Sequence, residues 1–169
     1  MKRALLLLSA VAALTACDAR PVPGESEPTG VSPIRFEQGG RPYQWNIAGV
    51  SGRAGLFLTR LDRADGGPVV LTLSCTDSGH GGLSLAMGER RDGPLAMQAG
   101  SETFVVDAVR KEHNGHVRAA GEGSFPDRWP EALGAADQVV VTHGPETLTF
   151  PGPGAPLMRR FADFCGGRR

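Results

Sequence analysis

Short runs of aliphatic and β-branched residues, separated by turn signals, make up the chain from Ile34 onward. The turn signals recur about every eight to twelve residues, which is the spacing of an antiparallel all-β fold. The 24 Gly and 13 Pro among 169 residues agree with many turns and few long helices. We therefore predict a mainly β domain, an antiparallel meander that forms a sandwich or a barrel.

Ten segments have the composition of strands. They are residues 34–37, 43–48, 55–61, 68–75, 83–87, 95–98, 103–111, 117–120, 139–143 and 147–150. Asn114-Gly115 is the strongest hairpin signal, because this pair supplies the positive φ angles of a type I′ turn. Residues 65–67, 78–82 and 144–145 are predicted as further turns.

Two helices are predicted between and after the strands. Pro130 suits the first turn of a short helix near 130–136. A C-terminal helix near 156–165 has its apolar residues at helical spacing on one face. These residues are Leu157, Met158, Phe161, Phe164 and Cys165.

The charge balance excludes one class of partner. The chain has 18 Lys and Arg against 18 Asp and Glu, so its formal net charge is zero. A nucleic-acid-binding domain needs a basic excess to neutralise phosphates. We therefore expect no nucleic-acid partner.

The first 17 residues follow the order of a bacterial export signal. Met1-Lys2-Arg3 is positively charged, and residues 4–14 form an apolar run. This run is shorter than the roughly 20 residues that a membrane-spanning helix needs, and it is typical of a secretory signal peptide. Leu14-Thr15-Ala16-Cys17 resembles a lipobox, the cleavage and acylation signal of bacterial lipoproteins.

The resemblance implies cleavage before Cys17 and attachment of acyl chains to that residue. Residues 1–16 are then the signal peptide, and residues 17–33 are a lipidated N-terminus and a flexible, Pro-rich tether. Residues 34–169 form the single β-rich domain. We expect a lipoprotein of the cell envelope that faces the periplasm from either the inner or the outer membrane.

The two remaining cysteines are predicted to form a disulfide. Cys75 ends an apolar strand, and Cys165 lies on the apolar face of the last helix. Thiols exported from the cytoplasm are normally oxidised in pairs. A Cys75–Cys165 bridge would therefore attach the C-terminal helix to the sheet.

Histidines provide only weak candidates for a metal site. His113 and His116 flank Asn114-Gly115, so they face each other across the predicted hairpin. Two imidazoles without a third ligand form a weak site. Cys75-x-Asp77-x-x-His80 loses its thiolate if Cys75 is bridged, and His143 is predicted at the surface. We predict no resident metal and no cofactor.

The sequence lacks a recognisable catalytic motif. Residues 49–53 depart from the nucleophile-elbow pattern because Arg53 replaces its last glycine. Asp77, Ser78 and His80 lie in one tight turn, where triad geometry is rare. We assign no catalytic residue.

Two aromatic residues are weak candidates for ligand binding. Tyr43 and Trp45 share one face of an early predicted strand. Exposed aromatic residues often mark binding sites, whereas packing in the core is the alternative that we favour for this pair.

One further resemblance suggests a specific function. Cys75, residues 81–85, 94–97 and 103–106 resemble the opening of the β-barrel of bacterial lipoproteins that inhibit c-type lysozyme. The later helices depart from that pattern, so no site residue is carried over. The favoured prediction is a non-catalytic binding or envelope-assembly module that recognises an envelope protein or glycan. The alternatives are a lysozyme-inhibitor-like lipoprotein, a small hydrolase or a metal-handling protein.

Overall fold

A computed structural model describes residues 30–50, 52–62, 67–76, 80–86, 91–113 and 116–166. The predicted signal peptide, Cys17 and most of the predicted tether lie outside the described residues. The same holds for Asn114-Gly115 and for Asp77, Ser78 and Gly79.

The mainly β class predicted from the sequence is confirmed, with ten strands and two helices. The strands are β1 (Ile34–Gln38), β2 (Arg41–Val50), β3 (Arg53–Arg60), β4 (Val69–Cys75), β5 (His80–Leu85), β6 (Gly93–Ala99), β7 (Glu102–His113), β8 (His116–Ser124), β9 (Gln138–His143) and β10 (Glu146–Pro151). The helices are α1 (Trp129–Ala135) and α2 (Gly154–Cys165).

All the pairings are antiparallel, in the order β1-β2-β3-β4-β5-β8-β7-β6-β9-β10. The long strand β7 joins the two halves, since its first part pairs with β6 and its last part with β8. The sheet curls into a nearly closed barrel. Side-chain hydrogen bonds link β1 and β2 at one end of the sheet to β10 at the other. Gln38 Nε2 donates to Thr149 O, and Trp45 Nε1 donates to Pro151 O at 2.8 Å.

Alternation along the strands separates an apolar interior from a polar exterior. Each of β3, β4 and β5 has two inward-facing leucines that are at most 1% exposed. These leucines are Leu56, Leu58, Leu71, Leu73, Leu83 and Leu85. Their partners across the strands are again leucines, so the core is continuous from β3 to β5.

Both helices lie on the inner side of the sheet and contribute side chains to the same core. On α2, Leu157, Met158, Phe161 and Phe164 are buried, as the helical spacing predicted. The Phe164 ring lies so close to Gly49 of β2 that a Cβ there would come within 2.8 Å of it. Trp129 of α1 packs against Phe104 of β7, with ring centroids 5.9 Å apart.

Glycines explain where the observed strands differ from the predicted ones. Gly81 and Gly82, predicted in a turn, lie within β5. The ring of Phe125 occupies the space that a Cβ on Gly81 would need. On β8, a Cβ on Gly121 would come within 2.6 Å of Asp107 O, so the close approach of β7 and β8 requires glycine there.

The predicted disulfide is confirmed. Cys75 is the last residue of β4 and Cys165 the last of α2, and their Cα atoms are 5.7 Å apart. The bond thus fixes the C-terminal end of α2 against the sheet. Across the described ranges, no helix combines the length and the apolar character needed to cross a membrane.

Removing the disulfide should lower the stability of the domain strongly. The bond joins residues 90 apart in sequence, and a loop of that length corresponds to about 4–5 kcal/mol of unfolded-state entropy. We expect the Cys75→Ala/Cys165→Ala variant to lose most of this free energy of unfolding in urea titrations. An unchanged urea midpoint would contradict this role of the bond.

Candidate functional site

The outward side chains of five neighbouring strands form a polar surface opposite the leucine core. One row crosses the strands through direct partners from β2 to β8. This first row consists of Asn46, Phe57, Thr72, Ser84 and Ala120. All five residues are half-buried, so the row remains in contact with solvent.

A second row runs beside the first and is almost free of large side chains. It consists of Ala48, Gly55, Ser74, Gly82 and Glu122. We call the two rows together the outer polar face. The small residues lower the surface between β4 and β8, while the hydroxyl groups of Thr72 and Ser84 remain available as donors and acceptors.

A shallow pocket forms where the rows meet β5 and β8. Its volume is about 130 Å³, and it is lined by Thr72, Ser74, Ser84, Lys111 and Glu122 together with backbone of the intervening strands. Ser74 Oγ lies 3.4 Å from Gly82 O, across β4 and β5. The pocket therefore presents hydroxyl groups and charges of both signs on a rigid sheet.

Phe57 supplies the aromatic group of the outer polar face. Its ring occupies the space above Gly55, where a Cβ would collide with it. Phe57 is half-buried, so part of its ring remains accessible to solvent. An aromatic ring that lies close to a sheet over a glycine is an apolar platform among polar groups.

A chain of hydrogen bonds orders the β1–β2 side of the outer polar face. Arg35 Nε donates to Gln44 Oε1 at 2.7 Å, and Gln44 Nε2 donates to Asn46 Oδ1. Asn46 Nδ2 in turn lies 3.4 Å from Thr59 Oγ1. These side chains orient one another, which reduces the entropy that a ligand would have to remove.

Two cations lie side by side at the β7 end of the outer polar face. Lys111 of β7 and Arg118 of β8 are direct cross-strand partners. Among the residues that the structure describes, neither is within ion-pair distance of an acid. Like charges directly opposite each other destabilise a sheet, so an anion that reached both side chains would relieve this repulsion.

Ser124 and His80 form a hydrogen-bonded pair at the rim of the barrel. Ser124 Oγ is 3.1 Å from His80 Nε2, and the two residues are direct partners on β8 and β5. A hydroxyl beside an imidazole has the spacing of a nucleophile and its base. Both residues are exposed to water, which weakens such activation. Ser78, which was considered from the sequence with Asp77 and His80 and was not assigned a catalytic role, lies outside the described residues.

Tyr43 and Trp45 do not form an exposed binding patch. Tyr43 is 4% exposed and Trp45 is 0% exposed. Tyr43 stacks on Phe36 with ring centroids 5.6 Å apart. Both residues belong to the inner face of β2, so the hypothesis of a ligand site at this pair is wrong and core packing explains them.

His113 and His116 are paired across β7 and β8, at the opposite end of the barrel from His80 and Ser124. His116 is exposed. Within the described ranges, no three His, Cys, Asp or Glu side chains are grouped closely enough to hold a metal ion. The geometry thus adds no third ligand to this pair from the described residues.

His143 is buried, and its predicted surface position is wrong. It is 1% exposed and follows Val139 and Val141 at alternate positions on the inner face of β9. Its Nδ1 lies 3.1 Å from Pro94 O and its Nε2 2.9 Å from Arg91 O. The imidazole therefore connects the end of β9 to the beginning of β6.

A groove between the two helices is an apolar depression that competes with the outer polar face. It encloses about 260 Å³ and is bordered by small residues of both helices, including Gly134, Ala155 and Ala162. Its charged residues, Glu131 and Arg159, have opposite signs. Few polar groups converge there, so the groove offers little to orient a ligand.

No protein-family model, no curated protein and no solved structure matches the chain. The interpretation of its surfaces therefore depends on their geometry and chemistry.

Replacing His143 should destabilise the fold. A leucine at this position leaves the carbonyl oxygens of Arg91 and Pro94 without their ring partner in a partly buried environment. We expect His143→Leu to lower the free energy of unfolding by about 1–3 kcal/mol. The matched control is His116→Leu at an exposed position, which should change it little. Equal effects of the two substitutions in urea titrations would contradict the role of His143.

Proposed function

We propose that the chain is a lipid-anchored protein of the bacterial cell envelope whose barrel acts as a non-catalytic binding module. The binding surface is the outer polar face. The observation that carries this proposal is the contrast between the two faces of β3, β4 and β5. The inner face buries six leucines, and the outer face presents hydroxyl groups on β4 and β5 and the Phe57 ring, beside the charges of Lys111 on β7 and Glu122 on β8.

A sheet that needed polar residues only for solubility would not require this arrangement. Long charged side chains would serve that purpose and cover the surface. Here, the second row instead consists of alanine, glycine and serine between β2 and β5, so no long side chain covers the sheet along it. The resulting depression, with Phe57 at one end and Lys111 at the other, favours recognition of a polar ligand.

Lipid attachment at Cys17 accounts for the third cysteine. The Cys75–Cys165 disulfide leaves Cys17 as the remaining thiol of the chain. Two or three acyl chains on one residue anchor a domain stably, whereas one chain binds a membrane only marginally. Residues 17–33 span at most about 55–60 Å when extended, so the barrel has room to face partners away from the bilayer.

The other functions considered from the sequence have less support from the structure. Lysozyme inhibition, metal handling and hydrolysis stay predictions from the sequence alone. The Ser124–His80 pair is an isolated feature at the rim of the barrel, whereas the outer polar face joins five strands in one surface.

Palmitate labelling in bacteria tests the anchor. We expect the chain to incorporate labelled palmitate and to fractionate with membranes, and Cys17→Ala to abolish both. The Cys75→Ala/Cys165→Ala variant is the matched control, because it removes two cysteines and leaves Cys17. Labelling that persists in Cys17→Ala, or labelling per molecule that falls in the control when it is normalised to the amount of protein, would contradict the proposed anchor.

A further inference from the structure

We infer that the outer polar face binds an acidic oligosaccharide, a chain of hexopyranose rings that carry carboxylates. This inference rests on the proposed function and adds the class of ligand. It depends on three features of the face, namely the Phe57 platform, the row of hydroxyl groups and the Lys111–Arg118 pair.

The Phe57 platform suits the face of a sugar ring. A pyranose exposes C–H groups on its faces and hydroxyl groups around its edge. The face of an aromatic ring is electron-rich and attracts polarised hydrogens that point toward it. Because Gly55 lets the Phe57 ring lie close to the sheet, one face of a sugar can rest on it while the hydroxyl groups reach the neighbouring strands.

The hydroxyl side chains match the edge of the sugar rings. Thr72 and Ser84 each act as donor or acceptor, as each sugar hydroxyl does, and Ser74, which donates to Gly82 O, can still accept. Glu122 accepts from sugar hydroxyl groups at the edge of the same pocket. Donors and acceptors of both kinds are thus distributed over β4, β5 and β8, where a rigid sheet holds them in position.

The length of the face suits a chain of several rings. The path from Phe57 on β3 to Lys111 on β7 crosses β4, β5 and β8. Four inter-strand steps correspond to about 19 Å. This length exceeds that of one sugar, so an oligosaccharide can contact the platform, the pocket and the cation pair together.

The cation pair selects an anionic chain. Lys111 and Arg118 repel each other across β7 and β8, and no acid among the described residues neutralises them. A carboxylate on the sugar would bind both cations and relieve this repulsion. The planar guanidinium of Arg118 suits a carboxylate particularly well, because it donates in a bidentate manner.

Other extended ligands fit this face less well. A peptide that binds by strand addition needs a free sheet edge, and β3, β4, β5 and β8 all have partners on both sides. A nucleic acid needs many cations along its path, whereas the described residues of this face offer the Lys111–Arg118 pair at one end, Arg35 at the other and the acid Glu122 between them.

Calorimetric titration of the full chain with tetragalacturonate, with cellotetraose as the neutral probe, tests the inference. We expect binding of tetragalacturonate that weakens with added salt, and at least tenfold weaker binding of cellotetraose. Phe57→Ala and Lys111→Glu/Arg118→Glu should each reduce the affinity for tetragalacturonate about tenfold, which corresponds to 1.4 kcal/mol. Arg159→Glu, on the groove between the helices, is the control and should leave the affinity unchanged.

The outcomes separate this inference from the proposed function. If both probes bind equally and Phe57→Ala abolishes the binding, the selection of anions is overturned, while the outer polar face remains a binding surface. Binding that is reduced by Arg159→Glu but not by Phe57→Ala overturns both. No binding of either probe overturns the inference, and palmitate labelling then reports separately on the anchor.

Because Lys111 and Arg118 lie on the surface of the sheet, their variant should fold, which thermal unfolding verifies.

Discussion

The alternation of side chains across β3, β4, β5 and β8 is the constraint on which the rest of the structure depends. A strand has two faces, and burying one in the barrel fixes the composition of that face. Leucines fill the inner face here, so the residues between them are free to serve another purpose. Glycine, serine and threonine occupy many of these positions, and their small size turns the outer surface into a depression.

Glycine connects the packing of the barrel to its outer surface. Gly81 and Gly121 face inward, where the Phe125 ring and the backbone of β7 leave no space for a Cβ. Gly55 and Gly82 face outward, where the Phe57 ring and Ser74 Oγ occupy the space that a Cβ would need. The disulfide adds a constraint of longer range, since it holds α2 against the end of β4 and so keeps that helix on the inner side of the sheet.

Local signals in the sequence predicted most of the fold. All ten strands, both helices and the Cys75–Cys165 bond follow from periodicity, turn residues and cysteine count. The candidate site could not be predicted in this way, because it depends on which strands are neighbours. Phe57, Ser84 and Lys111 are far apart in sequence, and only the β5–β8 and β8–β7 pairings bring them to one surface. The surface position predicted for His143 is wrong. Val139 and Val141 precede it at alternate positions, and this alternation indicates that His143 faces the interior of the barrel.

Amide-resolved NMR of the full chain during titration with tetragalacturonate tests most directly whether the ligand binds at the outer polar face. We expect the largest shift changes at the amides of Phe57, Thr72, Ser84 and Lys111, on four strands that meet only through the sheet. Saturating changes confined to α1 and α2, or changes spread evenly over the barrel, would contradict the assignment.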